Sequence, residues 1–302
     1  MKLEGIHHIT AVTGDAQRNL DFYTRVLGLR LVKKTVNQDD PTVYHLFYAD
    51  EAGSPGADLT FFEYPGAAPG RAGSGMVHRV VSRVVSEQAI DFWTERLADA
   101  DAQTERVGGG LHFTDPEGLA HELIVDPTDD PPLVAHHPDV PAQLALQGFH
   151  SVRAYAADPE ASRSLLEEAL AFEPTDDGWE ARGSERGGSI AYDAPPDERG
   201  RPGGGTVHHV AWASTMSDHG EWRQRALDGG AQPTPEIDRF WFRSIYFREP
   251  SGVLFEIATM GPGFTTDEDA EHLGEKLVLP PRFEAMRERI EATLTPLESA
   301  RP

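Results

Sequence analysis

The chain has 302 residues, with 27 Lys+Arg against 50 Asp+Glu, a formal charge of -23 and no Cys. So acidic a surface repels nucleic-acid phosphates, and the missing thiols exclude disulfides, iron–sulfur clusters, thiolate nucleophiles and Cys-ligated zinc. No stretch approaches the roughly 18 apolar residues that a membrane span needs, and no basic-then-apolar leader is present, so a soluble, cytoplasmic protein without a membrane partner is expected.

Lysine is confined to Lys2, Lys33, Lys34 and Lys276. An apolar fraction of 39% still supports a folded core. A core under an acidic, lysine-poor surface predicts a protein adapted to high salt, where self-repulsion is screened.

The elements repeat. The first unit opens on Gly5-Ile6-His7-His8-Ile9-Thr10, and Asp15 then caps a predicted helix over 16–27 that ends at Gly28. Leu20, Tyr23 and Leu27 share one face of it. Strands are predicted at 29–35, 43–48 and 58–64. The second unit opens on Met76-Val77-His78-Arg79-Val80, with a helix over 87–97 behind Ser86 and strands at 111–114 and 120–125 around Asp115-Pro116-Glu117-Gly118. A run over 126–143, rich in Pro, Asp and His, reads as a link between two halves. The third unit opens on Gly148-Phe149-His150-Ser151-Val152, followed by a helix over 159–169 that Pro159 can start. The fourth opens on Thr206-Val207-His208-His209-Val210, with a weaker helix over 220–227 and strands at 240–247 and 253–258 around Glu249-Pro250-Ser251-Gly252.

Four βαβββ modules follow, with one strand unplaced in the third and fourth. Their expected spans are 1–70, 71–130, 144–200 and 201–264, with a linker at 131–143 and a C-terminal helical tail at 265–302. One module cannot cover its own sheet. Pairing modules gives an α+β fold of two domains with curved, open, barrel-like mixed sheets. Modules one and four should share one cleft, modules two and three the other.

The copies differ where chemistry would sit. The residue after the shared His is His8, Arg79, Ser151 and His209 in turn. Near the end of the last strand stand Glu63 or a neighbour, Glu122, Asp193 and Glu256. Glu256 lies in the apolar run Val253-Leu254-Phe255-Glu256-Ile257-Ala258-Thr259, where a carboxylate is expensive without a cation. His8, His209 and Glu256 thus form a candidate two-histidine, one-carboxylate metal set. Its open positions suit Fe(II) binding a substrate and O2, although spacing does not separate Fe(II) from Mn(II), Ni(II) or Zn(II). Strand alternation puts Thr10 on the face of His8 and turns His7 and His208 away, unless the strand starts twist.

With these residues in place, the chain resembles the vicinal oxygen chelate superfamily, the fold of glyoxalase I and the extradiol ring-cleaving dioxygenases. It is most similar to the branch acting on hydroquinones. The stretches that carry the resemblance are 3–10, 19–37 with Asp21-Phe22-Tyr23 and Leu27-Gly28-Leu29-Arg30-Leu31-Val32-Lys33-Lys34-Thr35, 238–263, and Gly274-Glu275-Lys276-Leu277-Val278-Leu279-Pro280-Pro281. The resemblance implies iron on His8, His209 and Glu256. It implies substrate and outer roles for Arg239, Tyr246, His7, His208 and Thr10.

The expected activity is therefore Fe(II)-dependent ring cleavage of a small aromatic para-diol with O2, with a homo-oligomer left open. Two alternatives stand beside it. One is a glyoxalase-like isomerase or lyase with Glu63 as fourth ligand, and the other is a non-catalytic small-molecule binder of the same fold. Phe240, Trp241, Phe247 and Phe264 are the candidate aromatic lining of the cleft.

Overall fold

The computed structural model of the chain describes residues 1–126 and 128–298. Module one contains β1 (Ile6–Thr13), α1 (Ala16–Asp21), β2 (Arg30–Val36), β3 (Tyr44–Ala49) and β4 (Asp58–Glu63). Module two contains β5 (Met76–Val84), α2 (Glu87–Asp99), β6 (Thr104–Val107), β7 (Gly110–Thr114) and β8 (Ala120–Val125). Module three has β9 (Phe149–Tyr155), β10 (Glu173–Pro174), β11 (Gly178–Arg182) and β12 (Gly187–Asp193). Module four has β13 (Thr206–Ser214), α3 (His219–Asp228), β14 (Ile237–Asp238), β15 (Arg243–Arg248) and β16 (Leu254–Thr259). The two strands that patterning leaves unplaced, β10 and β14, have only two residues each, too few to show alternation.

Two eight-stranded mixed sheets result, in the orders β14-β15-β16-β13-β1-β4-β3-β2 and β10-β11-β12-β9-β5-β8-β7-β6. The fold is α+β. Within module one, β1 and β4 run parallel, which demands a crossover, and the chain from α1 to β3 supplies it. Between modules, β1 pairs antiparallel with β13, and β5 with β9. The chain order therefore differs from the spatial order: the first module closes its sheet with the last.

Apolar residues on the outer faces and helices merge into one core that spans both sheets, including Ile9, Phe61, Val80, Trp93, Val152 and Trp212. Asp15 and Ser86 cap α1 and α2 by accepting from the Arg18 and Ala89 amides. The helices predicted over 16–27 and 159–169 are corrected. After Asp21 the first widens into a turn with Leu27 N–H bonded to Phe22 C=O. The third module has a short 3₁₀ turn and the same wide turn, with Leu170 N–H on Leu165 C=O. Gly28 takes φ +68°, the left-handed geometry that ends the first of them.

The strand predicted over 240–247 is also corrected. Residues 240–242 form a turn with Phe240 at φ +75°, and β15 starts at Arg243. The tail runs through 3₁₀ turns to α4 (Arg287–Glu291), and Leu277 bridges to Lys34 on β2. The last part of the expected tail, 299–302, lies outside the described residues. No helix among the described residues is long and apolar enough to cross a membrane.

Candidate active site

Strand register assembles the site. His8 on β1 stands opposite Ala211 on β13, and Ala211 stands beside Glu256 on β16. One row further along, Thr10 faces His209. Residues in lateral register share a sheet face, so His8, His209 and Glu256 project together from three adjacent strands. Ala211, buried at the centre of the row, is too small to fill the space between them.

The three ligand-type atoms lie very close. His8 Nε2 is 3.2 Å from His209 Nε2 and 3.2 Å from Glu256 Oε2, and His209 Nε2 is 2.9 Å from that oxygen. Donors on adjacent corners of an octahedron about 2.1 Å from an ion are roughly 3.0 Å apart, and tetrahedral donors roughly 3.4 Å. Glu256 is 0% exposed, yet neither carboxylate oxygen has an aligned hydrogen-bond donor among the described residues. Burial alone would push its carboxyl up, but the two imidazoles hold it well below the usual carboxylate range. A buried carboxylate facing two imidazole nitrogens fits a divalent cation.

His7 and His208 do reach the site, by their neighbours' far side. His7 Nδ1 is 2.9 Å from His8 Nδ1, and His208 Nδ1 is 2.8 Å from His209 Nδ1. The tautomers follow by argument. For His8 to offer the Nε2 lone pair, its Nδ1 carries the proton and donates to His7. His7 is then protonated at Nε2, which donates to the Thr259 carbonyl at 3.1 Å. Burial and the nearby His8 lower the His7 pKa to about 3, so His7 stays neutral. Such outer partners orient a ligating imidazole and raise its basicity.

A narrow cleft, with a cavity volume of about 30 Å³, opens over the cluster. One wall carries Tyr246, the register partner of Glu256, with its ring edge-on to His209 at 5.6 Å. Burial and the Glu256 charge push the Tyr246 phenol up, so it remains a donor. Arg239 sits in the loop between β14 and β15, with its guanidinium 5.6 Å above the Tyr246 ring. It makes two bonds to Asp39, at 3.0 and 2.8 Å, across the mouth. Thr10 shares the face of His8 but bonds to Thr60, at 2.8 Å, rather than to a ligand.

The aromatic lining differs from expectation. Trp241 lines the cleft, together with Phe47, Phe62 and Phe242, which the sequence reading missed. Phe247 faces the other way, against Phe255. Phe264 packs behind Phe47 and Trp241, over the buried Lys33. Phe240 packs beside Trp241 in the turn. His45 and Thr60 were also missed. Alternation in Tyr44-His45-Leu46-Phe47 would have put His45 beside Phe47, on the inner face.

Register corrects the equivalent positions. The row Glu256–Ala211–His8 matches Glu122–Val81–Ser151 in the other sheet. The next row, His209–Thr10–Thr60, matches Arg79–Arg153–Ala191. Thr60 and Ala191, not Glu63 and Asp193, are therefore the counterparts of Glu256 and Glu122. Glu63 lies three residues beyond Thr60 on the opposite face, where it accepts from the Ala16 amide at 3.3 Å and caps α1. Asp193 accepts from Arg153 and contacts His78.

The sequence profile of the Glyoxalase/Bleomycin resistance protein/Dioxygenase superfamily matches residues 5–123 and 148–257. A protein of Bacillus subtilis (strain 168) bearing the name of a ring-cleaving dioxygenase, MhqO, is 42% identical over 98% of this chain and 97% of its own length. The chlorohydroquinone/hydroquinone 1,2-dioxygenase of Sphingobium indicum is 34% identical over 97% of this chain and 96% of its own. A crystal structure from Bacillus subtilis subsp. subtilis str. 168, of a protein named as a dioxygenase, superposes with a TM-score of 0.91 at 38% identity, covering 98% of both chains. Glyoxalase I of Zea mays shares the fold, with a TM-score of 0.60 at 15% identity over 90% of this chain and 96% of its own. The duplicated modules, the paired sheets and these matches agree: the chain belongs to the Glyoxalase/Bleomycin resistance protein/Dioxygenase superfamily.

Proposed function

We propose that the protein is a ring-cleaving dioxygenase that uses Fe(II) and O2 to open a hydroquinone-type aromatic diol. The observation that carries this reading is the buried Glu256 carboxylate, without an aligned hydrogen-bond donor among the described residues, clustered with His8 and His209 beneath an aromatic-lined cleft. Relatives 34–42% identical over nearly the whole chain bear the names of a ring-cleaving dioxygenase and of a hydroquinone 1,2-dioxygenase, which supports the same reading.

Fe(II), when bound by His8, His209 and Glu256, would supply open positions for a phenolate and O2 and a route for electrons between them. The protein's own groups do the rest. His7 and His208 hold the ligand tautomers. The neutral Tyr246 phenol can donate to the substrate oxygen nearest the metal set, and Arg239, held by Asp39, balances its negative charge. Trp241, Phe242 and Phe47 exclude water and seat the ring flat.

Against a four-ligand isomerase stands the hydroxyl of Thr60 at the position where a fourth carboxylate would project. Glu63 is committed to α1. The test is metal analysis with oxygen uptake on hydroquinone, methylhydroquinone and catechol. We expect one Fe per chain and one O2 per substrate. A higher kcat/KM for catechol than for every hydroquinone would overturn the para-diol assignment.

A further inference from the structure

The inner face of the cleft carries a polar group that no metal ligand touches. His45 on β3 is partly exposed, and its ring lies 4.0 Å from that of Phe47 and 4.4 Å from that of Phe62. Its Nε2 is 2.9 Å from Thr60 Oγ1, which is 2.8 Å from Thr10 Oγ1. Two aromatic contacts and one hydrogen bond therefore fix the ring. The remaining nitrogen, Nδ1, has no protein partner among the described residues and is not sealed from solvent.

His45 also stands in a particular place. The pseudo-twofold relation between modules one and four makes Phe47, opposite Thr60, the counterpart of Tyr246, opposite Glu256. Tyr246 and Arg239 thus form one wall, and Phe47 with His45 the other. From β1 to β3 is two strand spacings, about 10 Å, before side chains reach inward. His8, His209 and His45 line the same cleft, so a ring anchored by one oxygen near the first two can reach His45.

We propose that His45 binds the second hydroxyl of the substrate through Nδ1, while Thr60 and Thr10 hold its ring in place. This rests on the reading of the substrate as a para-diol. The threonine chain can run in either direction. It leaves Nδ1 as an acceptor when Nε2 donates to Thr60, and as a donor in the reverse case. A phenolic hydroxyl satisfies both, because it donates and accepts. An apolar substituent at that position would leave Nδ1 unpaired, so His45 selects for a diol over a simple phenol.

The experiment is anaerobic calorimetric titration of the metal-loaded protein with hydroquinone and with phenol, which lacks the second hydroxyl. The variants are His45→Phe and His45→Gln, with metal content measured on each. Wild type should favour hydroquinone over phenol by roughly ten-fold, the worth of about one buried hydrogen bond. His45→Phe should abolish that preference, with phenol affinity and metal content unchanged, and His45→Gln should retain part of it. Equal preference in wild type and His45→Phe would overturn the proposal, as would parallel loss of both ligands in both variants. If the metal-loaded wild type neither binds nor consumes hydroquinone, the para-diol reading itself fails, and this inference falls with it.

Discussion

Arg79 Nη1 lies 3.2 Å from Glu122 Oε2, at the positions that correspond to His209 and Glu256 in the other sheet. The guanidinium there supplies the positive charge that the Glu256 site lacks. His112 adds a second contact to Glu122, at 3.3 Å. Val81 fills the space that Ala211 leaves free. The second sheet thus carries the same carboxylate with a fixed side-chain cation beside it. The triple variant Arg79→His, Ser151→His, Val81→Ala should bind a second metal ion, raising content from about one to about two per chain by elemental analysis. Arg79→Ala alone should leave metal content and turnover at wild-type levels.

The converse change is equally simple. Ala211→Val places methyl groups between His8 and Glu256. Metal content should fall at least ten-fold, against an overpacking cost of about 1–3 kcal/mol in thermal unfolding. His8→Ala should also lose the metal while keeping the fold. Its Tm should no longer respond to Fe(II), whereas a thousand-fold excess over Kd stabilises the wild type by about 4 kcal/mol. Full metal occupancy with normal turnover in His8→Ala would remove His8 from the site.

Glu63→Gln distinguishes the enzyme classes. Glu63 serves the N-terminus of α1, and burial pushes its carboxyl up. The amide can still accept from Ala16. We expect wild-type metal and turnover, with stability at neutral pH no lower than wild type, because a carboxyl whose pKa burial raises carries its charge at a cost that the neutral amide avoids. Loss of metal in this variant would restore the four-ligand isomerase.

Asp115 gives a pH signature remote from the site. Burial pushes its carboxyl up to about 6, against bonds from the Leu119 and Glu117 amides and the Tyr23 hydroxyl. The folded state therefore holds a proton that the unfolded chain releases near pH 4. The stability from this group is complete below about pH 4 and is lost as pH rises through 6. Asp115→Asn keeps an oxygen for the two amides. Relative to wild type, it should gain roughly 2–3 kcal/mol in denaturant unfolding between pH 4 and pH 7.5. A parallel pair of stability–pH curves would contradict this.

A chain of charge -23 should gain stability from screening. Chemical unfolding in rising NaCl should show a midpoint that climbs through the molar range, and partial loss of structure at low salt. A midpoint independent of salt would mark an ordinary acidic protein.

The repeat itself was legible because each module carries its own local signals: the His-bearing strand, the caps Asp15 and Ser86, and the Pro–Gly turns. Glu256 was legible because a charged residue in so apolar a strand needs a partner. Three features depended on tertiary structure. The wide turns after Asp21 and before Leu170 are set by how the helix ends dock, which periodicity does not record. The counterparts of Glu256 were misjudged because sequence offsets count residues along the chain, whereas register between strands decides which side chains share a face. A shift from Thr60 to Glu63 is an odd number of residues, so it crosses the sheet. His45, Thr60, Ala211 and Asp39 escaped notice because each gains its meaning from a neighbour on another strand or loop. Local pattern determined the modules and their chemistry-bearing residues, while pairing of the first module with the last decided which of them meet.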